Sequence, residues 1–311
     1  MSNDHLLQSR SHAAPAPSPR RVLVVHNPAA GRRHGRRLDQ VLARLRDLGC
    51  VVECRATTRR GDAEDFARQA SRDAYDVVAA AGGDGTVNEI VNGLAAGGGG
   101  MALAVIPLGT ANILALEIGL DIADGDAVAH TIAFGPIRRV HPGVANGRHF
   151  LLMAGAGLDA QVVAGLNPEF KRRTGRLAYV VESVRQALGY DFPEIRVRAN
   201  GRTYRGRMAV ACKGRYYGGP FVAAPQAGLD KPQLDVCILP RSGMAGLMRY
   251  GLALPLNRLS ELPEIEHVTA STMTILGPRG APLQGDGDIV ARLPAEIGIA
   301  DTTVDLIVPG P

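Results

Sequence analysis

The chain of 311 residues has no tryptophan and only 4% aromatic residues. It therefore carries little that could stack on bases, and no helix-turn-helix or RNA-binding signature occurs, so nucleic acid is not an expected partner. Lysine is nearly absent too: Lys171, Lys213 and Lys231 are the only ones, and every other basic residue except histidine is arginine. No apolar run approaches the ~20 residues of a membrane-spanning helix, and the first residues lack a signal-peptide core. A cytoplasmic protein is the expectation. Cys50, Cys54, Cys212 and Cys237 show no paired metal-ligand spacing. Cys50, Val52 and Cys54 would share a strand face, which predicts buried thiols rather than a redox or zinc site. The net charge of +5 permits an anionic membrane surface as partner without requiring one.

What is present is organised around the stretch from Ala79 to Ile90, where a buried apolar run breaks into glycines and resumes as a helix. Gly82, Gly83 and Gly85 let the backbone turn sharply and approach a ligand closely. A helix starting at Thr86 or Asn88 would present unpaired N–H groups to an anion. Phosphate fits such a turn, and the carboxylate of Asp84 within it suits chemistry on phosphate.

Residues 1–20 mix Ser, Ala, Pro, His and Arg without hydrophobic period and read as a disordered leader. From Arg21 onward, buried strands, turns and helices alternate through Phe134. That rhythm predicts a doubly wound parallel sheet over residues 21–134, with its ligand at the carboxyl ends of the strands. Asn27, at the end of the first strand, opens a turn with Pro28 and Gly31. The sequence from Pro107 to Asn112, with Gly109 and Thr110, is a second phosphate-type turn. Residues 135–311 instead read as short strands, several alternating apolar with polar, as in Ile195-Arg196-Val197-Arg198. Two helices, Arg176 to Leu188 and Ser242 to Leu254, interrupt this β-rich domain, and its last strand could belong to either domain.

Ordered along the chain stand Asn27-Pro28-Ala29-Ala30-Gly31, Thr57 with Gly61-Asp62-Ala63, Gly82 to Glu89, Pro107 to Asn112, Gly155 to Ala160, Tyr217 to Pro220, Ala224-Pro225, Leu234-Asp235-Val236 and Asp286-Gly287-Asp288. Together these resemble the diacylglycerol kinase catalytic family, which includes bacterial lipid kinases and sphingosine and ceramide kinases. The resemblance implies an α/β nucleotide domain followed by a β-sandwich, with the active site between them. It implies transfer of the ATP γ-phosphoryl group to a lipid hydroxyl, with Mg²⁺ as cofactor. Such chemistry needs held phosphates, a metal and an oriented hydroxyl more than covalent help. Backbone donors would come from Gly82, Gly83, Gly85 and Gly109, and side-chain contacts from Asn27, Thr57, Thr86, Asn88, Glu89 and Thr110. Asp84 would act at the reacting centre, as base or through Mg²⁺. Asp288 stands where the resembling kinases carry a carboxylate proposed as general base, usually Glu; Asp286 reads as a structural turn residue.

Three departures cluster. Where the resembling bacterial kinases carry acids, this chain has Ile113 and His141, and their Asp-Asp-Gly loop becomes Asp230-Lys231-Pro232. The second of those loop aspartates helps hold a structural Mg²⁺ in the family, so the changes imply loss of that metal, with Lys231 a candidate to replace it. Two basic groups lie near the expected sites: Arg32, Arg33, Arg36 and Arg37, which suit a solvated helix face, and Lys171-Arg172-Arg173 with Arg176, which suit peripheral contact with an anionic membrane at the inner face. The reading allows a homodimer. Two alternatives stay open: a kinase of a soluble acceptor, since NAD kinases share the Gly-Gly-Asp-Gly-Thr turn, and a catalytically weak lipid- or nucleotide-binding module.

Overall fold

A computed structural model describes residues 19–30, 35–166 and 176–310. The centre of the first sheet grows from short, apolar segments that suit burial on both faces. Its elements are β1 (Arg21–His26), α1 (Gly35–Asp47), β2 (Val51–Ala56), α2 (Asp62–Gln69), β3 (Val77–Gly82), α3 (Asp84–Ala96), β4 (Ala102–Pro107), α4 (Ile113–Glu117), α5 (Gly125–Phe134) and β5 (Ile137–Val140). Every residue of β3 and of β4 is buried, whereas β2, at the edge, is largely exposed. Cys54 on β2 is accordingly exposed, against the expectation from its spacing, while Cys50, Cys212 and Cys237 are buried free thiols.

The order β2-β1-β3-β4 is parallel throughout. Crossovers are right-handed, so the chain's reversal of direction at β1 puts α1 on one face and α2 and α3 on the other. In agreement, α1 packs with α5, and α2 with α3. The reversal opens a crevice between the carboxyl ends of β1 and β3, the usual ligand position in such sheets.

Residues between β5 and the last strand build two six-stranded antiparallel sheets and a two-stranded one, Tyr216–Tyr217 with Phe221–Val222. The elements are β6 (Gly143–Ala145), β7 (Arg148–Phe150), β8 (Met153–Gly157), α6 (Leu158–Gly165), α7 (Arg176–Gly189), β9 (Ile195–Ala199), β10 (Arg202–Gly206) and β11 (Met208–Cys212). They continue with β12 (Tyr216–Tyr217), β13 (Phe221–Val222), β14 (Leu234–Leu239), α8 (Gly243–Ala253), β15 (Glu266–Ala270), β16 (Thr272–Leu276), β17 (Pro282–Gly285), β18 (Asp288–Arg292), β19 (Ala295–Ile299) and β20 (Val304–Ile307). Sheets β10-β9-β16-β19-β6-β7 and β15-β14-β11-β8-β17-β18 enclose an apolar core that includes Phe150, Val197, Val236, Ile275 and Leu283. Alternation explains it: in β9, Ile195, Val197 and Ala199 point inward while Arg196 and Arg198 stay wet.

The chain's end returns to its beginning. β20 pairs parallel with β4 and antiparallel with β5, so the first sheet has six strands. β5, on the second-domain side of the boundary expected at residue 134, therefore lies in the first sheet. Among the described residues, no helix is long and apolar enough to cross a membrane.

Candidate active site

At the crevice, β3 ends in Gly82 and α3 begins at once, with Gly83 as N-cap and Asp84 as its first residue. The helix thus starts earlier than Thr86 or Asn88, and Asp84 belongs to its first turn, where the helix dipole favours a negative charge. The Asp84 carboxylate accepts the backbone N–H of Leu114 at 3.1 Å, joining the first glycine turn to the start of α4. The turns also touch directly: a Cβ added to Gly109 would lie 2.5 Å from the Gly83 Cα. Only glycine permits that approach.

Asn112 holds the second turn closed. Its Oδ1 accepts from Gly109 N and its Nδ2 donates to Gly109 O, both at 2.9 Å, with Asn112 itself left-handed at φ 48°. Across the crevice Asn27 N donates to Ala81 O, its Oδ1 accepts from Ala29 N, and its Nδ2 reaches Thr86 Oγ1 at 3.4 Å. Thr57 hydrogen-bonds through its backbone to His26 O, placing the 57–61 turn beside the same strand end. Gly82, Gly83, Gly85, Thr86, Asn27, Pro28, Gly109 and Thr110 thus come together at one edge of the sheet; Gly31 lies outside the described residues.

Two of the residues expected at the phosphates are engaged elsewhere. Glu89 Oε2 accepts the Ala63 N–H at the start of α2. Asn88 Nδ2 donates to His149 O at 3.0 Å and Asp286 Oδ2 at 3.1 Å, and its Oδ1 accepts from Asn92. These bonds tie the first turns of α3 to α2 and to the segment before β8.

Asp286 is more than a turn residue. It sits at φ 51° and is half-buried, and its carboxylate accepts from Leu151 N (2.7 Å), Leu152 N (2.9 Å), Met153 N (3.0 Å) and Asn88. Burial raises its pKa to about 6, against the downward pull of these donors. Asp288, two residues on, faces the start of α3: a Cβ on Gly85 would lie 3.9 Å from its Oδ2. Its other oxygen pairs with Arg60 at 3.0 Å, an exposed residue from the 57–61 turn.

Neighbouring groups escaped sequence reasoning. Asp159, half-buried, accepts from Tyr217 OH and Gln284 Nε2, and desolvation raises its pKa; Gln284 also accepts from Gly287 N, between the two aspartates. Glu117 of α4 accepts from Arg215 N, Arg215 Nε and Tyr216 N. A bidentate pair, Arg148 with Glu64 at 2.9 Å each, bridges β7 to α2. Asp159 and Tyr217 lie in motifs that the sequence displays; Arg60, Glu117 and Arg148 give no local signal.

The donors here are hard oxygens, suited to Mg²⁺. Among the described residues no group of three or more His, Cys, Asp or Glu could hold a metal unaided.

Comparison with known proteins agrees with this geometry. Residues 21–145 match the diacylglycerol kinase catalytic domain, and residues 153–308 match the YegS C-terminal NAD kinase beta sandwich-like domain. A diacylglycerol kinase of Bacillus subtilis is 29% identical over 281 residues, covering 89% of this chain and 92% of the relative. One from Staphylococcus aureus is 28% identical, with 93% of each chain covered. Among solved structures, a diacylglycerol kinase from Bacillus anthracis superposes with a TM-score of 0.77 at 25% identity, covering 94% of this chain and 98% of that one.

Proposed function

The chain belongs to the diacylglycerol kinase catalytic family, and we propose that it transfers the γ-phosphoryl group of ATP to the hydroxyl of a membrane lipid alcohol, whether diacylglycerol, a sphingoid base or a ceramide. One observation carries this reading: Asp288, from the second domain, faces Gly85 at the start of α3. A base on the acceptor side thereby meets a phosphate turn on the donor side.

In the proposed reaction the N–H groups at the start of α3 and in the 107–112 turn hold the nucleotide phosphates. Asp288 accepts the proton of the lipid hydroxyl as its oxygen bonds to the γ-phosphorus and the bond to the β-phosphate oxygen breaks. Mg²⁺ bound with the nucleotide would neutralise charge on the β- and γ-phosphates. Arg60 holds Asp288 in place and adds positive charge beside the transferred group.

A lipid acceptor is supported by apolar side chains left in water. Val181, Val184 and Leu188 on α7 recur at helical spacing, and Met248, Leu252 and Leu256 on and after the adjacent α8 are also exposed. They fit a protein that works in the cytoplasm and rests on the inner membrane face. The basic residues Lys171, Arg172 and Arg173, expected at that contact, lie outside the described residues.

The match of the second domain to an NAD-kinase-like sandwich favours testing a soluble acceptor in parallel. Transfer of labelled phosphate from ATP to diacylglycerol, sphingosine and ceramide in mixed micelles, with NAD alongside, decides between them. Label in a lipid supports the proposal; label in NAD alone overturns it.

A further inference from the structure

A structural Mg²⁺ like that of the resembling kinases does not fit the donors found in this chain at the loop Asp230-Lys231-Pro232. The carbonyls of Gly228 and Gln233 lie 3.1 and 3.2 Å from Lys213 Nζ, and the Lys231 carbonyl completes the set. Lys213 is fully buried, with 0% exposure. Its ammonium already stands where oxygen ligands converge, and a divalent ion at Mg²⁺ bond lengths of ~2.1 Å would have to displace it. Lys231 is not the substitute, because its own side chain turns outward to the carbonyl of Gln226.

We infer that Lys213 is a built-in cation that takes the place of a bound metal in holding the 228–233 loop to the sandwich. Three N–H donors meet three carbonyls, so an ammonium satisfies this cage completely, whereas a neutral side chain would leave buried carbonyls unpaired. Acid surrounds it as it would surround a metal. Asp230 and Asp235 favour the charged form, and Asp235 Oδ2 is buried without a hydrogen-bond partner among the described residues. Burial opposes them and lowers the Lys213 pKa to about 8, which leaves the side chain a cation at neutral pH.

The position has consequences for the site. Lys213 N and Gly214 N both donate to Leu152 O, and Leu152 N donates to Asp286. On the loop itself Leu229 is buried in the nucleotide-side core, and its carbonyl accepts from His141 N. The ammonium thus anchors, through a short run of backbone bonds, the segment that cradles Asp286. This inference does not depend on which alcohol is phosphorylated, and its test needs no substrate.

With only Lys171, Lys213 and Lys231 in the chain, reductive methylation of the intact protein followed by peptide mass spectrometry reads this lysine directly. Lys213 remains unmodified while Lys231 becomes dimethylated, and it reacts once the protein is denatured. Equal modification of both in the folded protein overturns the inference. In parallel, the Tm of the nucleotide-free wild type is the same with Mg²⁺ as with EDTA; a drop on chelation would mean that a metal holds the fold after all. Lys213→Ala lowers Tm and recovers part of it with methylammonium chloride but not with sodium chloride, as mass action requires of a vacated cation site. A variant as stable as wild type would also sink the idea. If it does not fold, the labelling result on the wild type decides.

Discussion

Asn88 Nδ2 donates to Asp286 Oδ2 at 3.1 Å and so ties the helix of the phosphate turn to the strand end that carries Asp288. The two residues are 198 positions apart, yet the bond links the first turns of α3 to the second-domain turn before β18. Asn92 and His149 reinforce it: His149 N donates to Asn92 Oδ1 at 2.9 Å, and His149 O accepts from both asparagines.

Removing that link has a calculable cost. Asn88→Ala leaves Asp286 with its backbone donors alone and takes one donor from His149 O. A stability loss of about 1–3 kcal/mol is expected from buried groups deprived of a partner. Turnover should fall further than stability explains, because Asp288 is no longer held against α3. Asn88→Asp is expected to be worse, since it places a second carboxylate against the first. Urea unfolding together with kcat for both variants tests this; a stable Asn88→Asp enzyme of normal kcat would contradict it.

The same carboxylate predicts a pH dependence. Asp286 has a folded pKa of about 6 against an ordinary value of 3.8. Its protonated form is thus favoured by folding, and this contribution, on the order of 3 kcal/mol, is complete below the unfolded pKa and disappears as pH rises through 6. Activity should run the other way. Protonation puts a hydrogen where backbone N–H groups point, so Leu151, Leu152, Met153 or Asn88 loses its acceptor and the junction loosens. An acid limb in kcat near pH 6, without loss of folded protein by circular dichroism, is the expected result.

How much of this was legible beforehand depends on how local each cause is. An apolar run that stops at Gly82 and restarts after Gly85 is a local signal, and a strand-to-helix turn stands there. The chemistry of Asp286 is not local. Gly285 and Gly287 announce a turn, but its donors come from Leu151 to Met153, brought there by the pairing of β17 with β8. Lys213 and Lys231 pose the same problem. Both are isolated lysines in sequence, and only the path of the 228–233 loop decides which one meets the carbonyls. The early start of α3 was missed because glycine at 83 and 85 reads as helix-breaking, whereas Gly83 is the N-cap.

At the reacting centre, Asp84→Asn should retain nucleotide binding and lose phosphoryl transfer, because the amide still accepts from Leu114 N but brings no charge. Asp288→Asn removes the proposed base, and losses of about 10²- to 10⁴-fold in kcat are expected with little change in the KM for ATP. Arg60→Ala should cost less, since Arg60 is exposed and acts through Asp288. A steady-state comparison of the three variants checks the order. Full turnover by Asp84→Asn would remove this residue from the chemistry.

The apolar faces of α7 and α8 give a prediction that separates membrane contact from catalysis. Leu188 and Leu252 are 76% and 66% exposed, so changing both to Glu should leave folding intact. If these faces enter a lipid surface, each leucine contributes up to ~1.5–3 kcal/mol of transfer energy, and Glu adds repulsion from anionic headgroups. Vesicle binding of the double variant should weaken by about tenfold or more, and turnover of vesicle-embedded lipid should fall in parallel. Turnover of a dispersed short-chain lipid, which needs no docking, should stay near wild type. Equal loss on both substrates would indicate damage to the fold, and undiminished vesicle turnover would place the membrane contact on some other surface.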